Sequence, residues 1–217
     1  MTNLFLSNSM SIYEIDSLAR KYCSEKQWGM GTFIAVFDPS LGNALMVKTG
    51  KYAMDAAGGT PWNLPGGEVE PGELPSHAAI RELKEETGLS SPSDLRFAAW
   101  LERPYFLSRH GTTGELVILF CGVDRTNGSG LRPAPPEIVQ CGFYHFNLRE
   151  WLNVPSKGNG NHPLSPLPRH WVYWTLIAQM MLKDPNMFPI IHEYSSSEDM
   201  ALPPEGLDYA EGLNYKF

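Results

Sequence analysis

The sequence has little positive charge, few cysteines and no long apolar run, and each shortage excludes a class of protein. Its 217 residues carry 17 Lys and Arg against 24 Asp and Glu, a formal charge of -7, whereas a nucleic-acid binder needs a basic face to displace counterions. Three cysteines are an odd and sparse set, which does not make a disulfide framework. The longest apolar stretch, 116–123, is too short to cross a bilayer. We therefore expect neither a nucleic-acid nor a membrane partner.

The first ten residues contain no Lys or Arg and no long apolar segment. We therefore expect no secretory signal peptide and a cytoplasmic protein. Apolar residues make up 42 % of the chain and aromatic residues 12 %. A disordered chain is poorer in aromatic residues than this, so we expect a packed core.

Residue patterns predict a chain that alternates strands with a few helices. Ser11 and Glu14 make a capping box at the start of an amphipathic helix over 11–22. A second helix is predicted over 75–87, with Pro75 in its first turn and Gly88 as its stop. The remaining predictions are strands at 32–37, 44–49, 95–101, 115–124 and 137–146, a loop at 50–61, a helical turn ending at 151 and a helix at 170–183. The first two strands are expected to form a hairpin, and the element order favours an α+β or α/β sandwich.

Three glutamates of the predicted helix 75–87 share one face. Glu82, Glu85 and Glu86 stand at i, i+3 and i+4, and like charges at that spacing destabilise a helix unless something compensates for them. Oxygen ligands crowded together suit a hard cation, Mg²⁺ or Mn²⁺. Upstream, Gly66 and Gly67 let the backbone approach a ligand closely and leave a carbonyl to coordinate metal. Alone, such a charged run is more typical of a solvated helix surface.

The spacing around these glutamates is more specific than the charge run. The segment has the pattern Gly67-x5-Glu73-x7-Arg81-Glu82-Leu83-x-Glu85-Glu86-x-Gly88-Leu89 without a mismatch. That pattern is the Nudix box, and the chain resembles the Nudix hydrolases. The resemblance implies an α/β/α sandwich with a mixed β-sheet, and it covers about 32–151.

The resemblance also implies an activity and a set of site residues. Nudix hydrolases split a diphosphate linkage in a nucleoside diphosphate joined to another group. By position, Glu82, Glu85, Glu86 and the Gly66 carbonyl would hold Mg²⁺ or Mn²⁺, and Glu73 and Arg81 would neutralise and orient the cluster. Metals that bridge two phosphates neutralise developing charge and make hydroxide easier to form from bound water. They would also let a protein of charge -7 accept a polyanion.

The general base and the substrate stay open at this stage. Glu137 is the candidate base, because it lies in a loop before a late strand, and Glu115 is its competitor. Pro104 suggests the ADP-ribose branch of the family and Tyr105 the dinucleoside-polyphosphate branch, so the two hints cancel. Candidate substrate-binding residues are Arg96, Arg103 and Tyr105.

Two other functions remain as alternatives. One is a nucleotide-sensing Nudix-like module without turnover, although decay of the carboxylate cluster would be expected there and the cluster is intact. The other is an isoprenoid diphosphate isomerase that uses Cys121 or Cys141.

The chain divides by these criteria into three parts. They are an N-terminal helical segment (1–28), a Nudix hydrolase domain (29–153) and a C-terminal extension (154–217) with one helix and an acidic, Tyr-containing tail. We expect the extension to cap the substrate cleft or to form part of a homodimer interface.

Overall fold

The structure is a computed structural model that describes residues 10–50, 62–107, 111, 113–145, 178–179, 182–183 and 190–193. Two helices lie in these ranges, α1 (Ile12–Lys26) and α2 (Pro75–Thr87). The strands there are β1 (Gly29–Phe37), β2 (Asn43–Thr49), β3 (Trp62–Asn63), β4 (Gly66–Glu68), β5 (Ser93–Leu107), β6 (Thr113–Val123), β7 (Ile138–His145) and β8 (Ile190–Glu193).

The predictions of the first two helices are confirmed, whereas the helix predicted over 170–183 lies outside the described residues except at 178–179 and 182–183. Ser11 and Glu14 form the capping box of α1, and the helix runs four residues beyond its predicted end. The predicted and observed bounds of α2 coincide, and Gly88 closes the helix with a φ of 80°. No helix in the described ranges combines the length and the apolar character needed to span a membrane.

All eight strands join one mixed sheet. Its main path is β3-β2-β1-β6-β5-β8, with β4 paired to β1 and β7 paired to β2. The pairs β1–β6 and β5–β8 are parallel, and the other pairs are antiparallel. This confirms the mixed sheet and the α+β class.

The predicted hairpin of β1 and β2 forms only at its base. The two strands pair at a single position, Phe37 with Ala44. Farther along, β4 occupies the same edge of β1 at Gly31–Phe33, and β2 pairs instead with β7 over most of its length. On its other edge, β1 is paired along all nine residues with β6. The apolar run in β1 is therefore that of a central strand with neighbours on both edges.

Both faces of the sheet are buried. On one face, α1 and α2 pack on a cluster that includes Ile34, Trp100 and Ile118. On the other face, Ala35, Phe37, Met46 and Leu119 are fully buried. Gln179 donates a hydrogen bond to the Leu41 carbonyl, and Ala178 beside it is fully buried. Two buried faces require a layer on each side, as in an α/β/α sandwich.

All three parts of the predicted division lie partly outside the described residues. Of the extension 154–217, only 178–179, 182–183 and 190–193 are described. The pattern of the sequence did not reveal β8, which adds an edge strand beside β5. The loop 51–61, the turn ending at 151 and the tail after 193 lie outside the described ranges. The three-part division remains a prediction.

Candidate active site

The helix α2 carries the three glutamates, and its first turn is held by α1. Leu74, the N-cap residue of α2, makes no side-chain capping hydrogen bond. Instead, the Ser76 backbone N–H donates to Asp16 Oδ1 at 3.0 Å and the Ser76 hydroxyl donates to Asp16 Oδ2 at 2.6 Å. A carboxylate is the preferred partner for the free N–H groups and positive dipole at a helix start. Asp16 therefore caps α2 from another helix, a role that no motif in the sequence signals.

The glycine pair of β4 lies directly against the glutamates. The Gly66 backbone N–H donates to Glu86 Oε2 at 3.1 Å, and Gly66 has a φ of 153° that disfavours other residues. A Cβ atom on Gly67 would lie 2.6 Å from Glu82 Oε1. The glycines thus give Glu82 and Glu86 space against the strand, as the sequence predicted for a close approach of the backbone.

Arg81 joins the acidic residues of the cluster. Its Nε and Nη2 donate to the two oxygens of Glu73 at 2.9 and 3.0 Å, a bidentate pair. Its Nη1 donates to Glu82 Oε1 at 2.8 Å and to Glu85 Oε2 at 3.2 Å. The side-chain hydrogen bonds and charge of Arg81 hold the pKa of Glu73 below its ordinary value. Glu73 is therefore paired rather than part of a repelling set.

Burial and mutual repulsion make the carboxyls of Glu82 and Glu86 weaker acids. The pKa of Glu86 is raised to about 8, mainly by desolvation. The negative charges of Glu82, Glu137 and Glu85 also raise this pKa, whereas the hydrogen bond from the Gly66 N–H lowers it. Desolvation also raises the pKa of Glu82, where Arg81 opposes it and the charges of Glu85 and Glu137 add to it. Glu82 thus has a partial counter-charge in Arg81, whereas Glu86 forms no ion pair within the described ranges.

Glu137 lies near this cluster, whereas Glu115 belongs to a separate ion pair. Glu137 is exposed just before β7, and its charge reaches both Glu82 and Glu86. Glu115 accepts a hydrogen bond from Arg103 Nη1 at 2.6 Å, and both side chains of that pair are largely buried. Of the two candidate bases, Glu137 is therefore the one whose charge acts on the candidate metal ligands.

The predicted substrate-binding residues all lie on β5, outside α2 and the β4 strand. Arg103 is held by Glu115, and Arg96 pairs in register with Cys121 of β6. Tyr105 belongs to the same strand, but its side chain is outside the described part of the structure. Their contact with substrate stays a prediction.

The two cysteines considered for isomerase chemistry are in unfavourable surroundings. Cys121 is fully buried in β6, and desolvation raises the pKa of its thiol to about 12. Cys141 is partly buried, and burial together with the charge of Glu86 raises its thiol pKa. A buried or protonated thiol is a poor acid–base or nucleophilic group.

The oxygen atoms of the three glutamates are the kind of ligand that a hard divalent cation prefers. Glu82, Glu85 and Glu86 offer only oxygen atoms, and burial leaves two of them in need of positive charge. Within the described ranges, no three Asp, Glu, His or Cys side chains have the arrangement of a formed metal site. The contacts of Arg81 explain this, because its Nη1 holds Glu82 and Glu85. A bound cation would therefore compete with Arg81 for these two carboxylates, each of which has a second oxygen that Arg81 does not contact.

A mixed sheet whose Gly-Gly strand packs against a glutamate-bearing helix is the arrangement expected from the Nudix box, and a family model matches the same part of the chain. The NUDIX domain model matches residues 28–164. The chain therefore belongs to the Nudix family.

Individual relatives show how far the likeness extends. A putative 8-oxo-dGTP diphosphatase of Bacillus subtilis (strain 168) is 36 % identical over 107 residues, which are 49 % of this chain and 66 % of that protein. A nucleoside triphosphate pyrophosphatase/Nudix hydrolase fusion protein of Bifidobacterium longum (strain NCC 2705) is 37 % identical over 78 residues, 34 % of this chain and 16 % of its own length. The chain thus spans less than two thirds of either relative.

A solved structure was also compared with the chain. The MutT protein of Methanosarcina mazei Go1 is 19 % identical, with a TM-score of 0.49 over 72 % of this chain and 96 % of that one.

Proposed function

We propose that this protein is a metal-dependent pyrophosphohydrolase that splits a diphosphate linkage in a nucleoside diphosphate derivative. The observation that carries the proposal is the meeting of Glu82 and Glu86 with the Gly66-Gly67 strand, next to Glu85 and Glu137. Membership of the Nudix family supports it, as do the activities for which two relatives are named, a putative diphosphatase and a pyrophosphatase fusion.

Glu82, Glu85, Glu86 and the Gly66 carbonyl would hold Mg²⁺ or Mn²⁺. When bound, such a cation neutralises phosphate charge and increases the acidity of water. Arg81 orients Glu82 and stays anchored by its bidentate pair with Glu73.

Glu137 is the proposed general base, because it is the exposed carboxylate beside the cluster. Its side chain would accept the proton of the attacking water, and the water oxygen would form a bond to phosphorus as the bridging P–O bond breaks. A carboxylate in that role needs hydrogen-bond reach of the water and a location open to it. The exposure of Glu137 meets the second condition.

The substrate class within this reaction is a nucleotide sugar such as ADP-ribose, or a related nucleotide. Arg96, Arg103 and Tyr105 of β5 are proposed to bind it. The proposal also includes a cytoplasmic protein that binds no nucleic acid, with a C-terminal extension (154–217) that caps the substrate cleft or forms part of a homodimer interface.

The test is a hydrolysis screen with Mg²⁺ or Mn²⁺ on nucleoside triphosphates, nucleoside diphosphate sugars and dinucleotides. We expect turnover of at least one class, with a loss of two orders of magnitude or more in Glu85→Gln and Glu86→Gln. The matched control is Asp94→Asn, which removes an exposed carboxylate that belongs to β5 and pairs with Arg125. Retained activity in both glutamate variants contradicts the metal-ligand assignment. A folded, metal-replete protein that binds a nucleotide but turns over no substrate favours the sensor.

A further inference from the structure

A cavity of about 960 Å³ lies between α1 and the segment that leads from β4 into α2. Its lining reaches Arg81 and Glu82, so it opens onto the candidate active site. A volume of this size accommodates a nucleotide-sized ligand.

One stripe of α1 forms a wall of this cavity. Ser17, Arg20, Lys21 and Ser24 recur at i, i+3, i+4 and i+7, and all four line it. The opposite side of the helix carries the fully buried Ile15 and Ala19. The amphipathic pattern of α1 therefore turns hydroxyl groups and cations toward the cavity.

The two walls of the cavity carry opposite charge. Arg20 and Lys21 lie on α1, and the facing wall includes Glu68, Glu70 and Glu82. Arg20 has no hydrogen bond or ion pair within the described part of the chain. Lys21 Nζ lies 3.9 Å from Glu25 Oε1, a long ion pair between two exposed side chains. These cations are thus available to an anion, whereas the acidic wall is the side on which a divalent cation would bind.

The basic wall is held at a fixed position relative to α2. The buried hydrogen bonds of Asp16 to Ser76 join α1 to the first turn of α2. At the other end of α1, Lys26 Nζ lies 3.6 Å from Glu102 and about 4.3 Å from the centroid of the Trp28 ring. A wall anchored at both ends is preorganised for binding.

All of α1 precedes the matched family region, which begins at residue 28. Box residues act on the metal and the scissile diphosphate, so selection between substrates requires groups outside the box. The position and charge of this helix make it a source of such groups.

We infer that Arg20 and Lys21 bind a phosphate beyond the two joined by the scissile linkage, with Ser17 and Ser24 as hydroxyl donors. Of the two kinds of substrate proposed above, the protein then prefers the related nucleotide, one with three or more phosphates, over a nucleoside diphosphate joined to a neutral sugar. This inference rests on the proposed function, because it places the scissile diphosphate at α2.

The experiment compares the full-length protein with the double variant Arg20→Ala/Lys21→Ala. We expect kcat/KM for a nucleoside triphosphate to fall about tenfold, mainly through KM, because charge-assisted contacts to phosphate are lost. For a nucleoside diphosphate sugar we expect a change of less than about twofold, because its diphosphate is bound elsewhere. The control Arg125→Ala removes an exposed Arg paired with Asp94 and should leave both substrates unaffected. Melting temperatures check that each variant folds.

Losses of equal size on both substrates, or no loss on the triphosphate, overturn the inference while the proposed hydrolysis stands. A second readout does not depend on turnover, namely binding of a non-hydrolysable nucleoside triphosphate by calorimetry. If the wild-type protein hydrolyses nothing, the proposed function fails. In that case, weaker binding of the triphosphate analogue by the double variant, but not by the control, would still support the phosphate contact. Unchanged binding by the double variant would overturn the inference as well.

Discussion

Asp16 of the N-terminal helix accepts two hydrogen bonds from Ser76, sixty residues away, and thereby caps the helix that carries the candidate metal ligands. Asp16 is 2 % exposed and Ser76 5 %. Burial raises the pKa of the Asp16 carboxyl, and the two bonds from Ser76 oppose that shift. The position of Glu82, Glu85 and Glu86 relative to β4 therefore depends in part on α1.

Replacing Asp16 should destabilise the whole domain. Asp16→Ala removes the cap of α2 and leaves a buried hydroxyl without its acceptor, which costs about 1–3 kcal/mol in the free energy of unfolding. Asp16→Asn keeps one acceptor oxygen and should lose less. Denaturant unfolding of the two variants measures the difference. Ser76→Ala combined with Asp16→Ala in a double-mutant cycle isolates the hydroxyl–carboxylate bond, and independent, additive effects would show that this bond contributes nothing.

Gly67→Ala should alter the site more than the fold. The added Cβ would lie 2.6 Å from Glu82 Oε1, so the carboxylate at the end of a flexible side chain must move. We expect a lower apparent affinity for Mg²⁺ in the activity assay and a melting temperature within a few degrees of the wild type. The matched control is Gly142→Ala, whose new Cβ has no neighbour closer than 3.5 Å. An unchanged Mg²⁺ dependence in Gly67→Ala would show that the position of Glu82 is unimportant.

Divalent cations should stabilise the folded protein. Burial and mutual repulsion leave Glu82 and Glu86 in need of positive charge, and a ligand bound only by the folded state raises stability by mass action. Millimolar Mg²⁺ should raise the melting temperature of the wild type, and less so that of Glu86→Gln. Arg125→Ala should respond like the wild type. A melting curve that neither Mg²⁺ nor Mn²⁺ shifts would argue against a metal site.

The stability of the metal-free protein should fall as pH rises through the neutral range. The pKa of Glu86 is raised from 4.5 to about 8 in the folded state. Between those values the folded protein keeps a proton that the unfolded chain has released, so its stabilising effect is complete below pH 4.5 and lost above about pH 8. Denaturant unfolding with a chelator at pH 6 and pH 8.5 measures this loss.

Glu86→Gln provides the reference for that measurement because its amide does not titrate. The wild type should lose on the order of 2 kcal/mol more than the variant between the two pH values. Parallel losses in the two proteins would mean that Glu86 ionises normally.

Local patterns predicted the parts of the site that depend on neighbours along the chain. The spacing of Glu82, Glu85 and Glu86 and the stop at Gly88 follow from helical periodicity and backbone conformation, and α2 has its predicted bounds. Arg81 and Glu73, both expected beside the glutamate cluster, lie on one short stretch of chain and pair with each other. The box motif placed the chain in its family for the same reason.

Strand partners were not predictable in this way. The hairpin prediction assumed that β1 and β2 pair along their length because they are neighbours in the chain. In the structure they pair at one position, and β4 pairs with that edge of β1 farther along. The partner of β1 on its other edge is β6, for which no local signal exists. The edge strand β8 is too short to stand out from its surroundings.

The sequence by itself determined which residues are the candidate ligands of a divalent cation and on which helix they stand, because residue type and helical spacing are local properties. Only the tertiary structure decided what surrounds them: the cap from Asp16, the approach of Glu137, the hold of Arg81 on Glu82 and Glu85, and the basic wall of α1. These contacts join residues far apart in the chain, and their electrostatic effects depend on burial. Burial is a property of the packed fold, which no local segment contains.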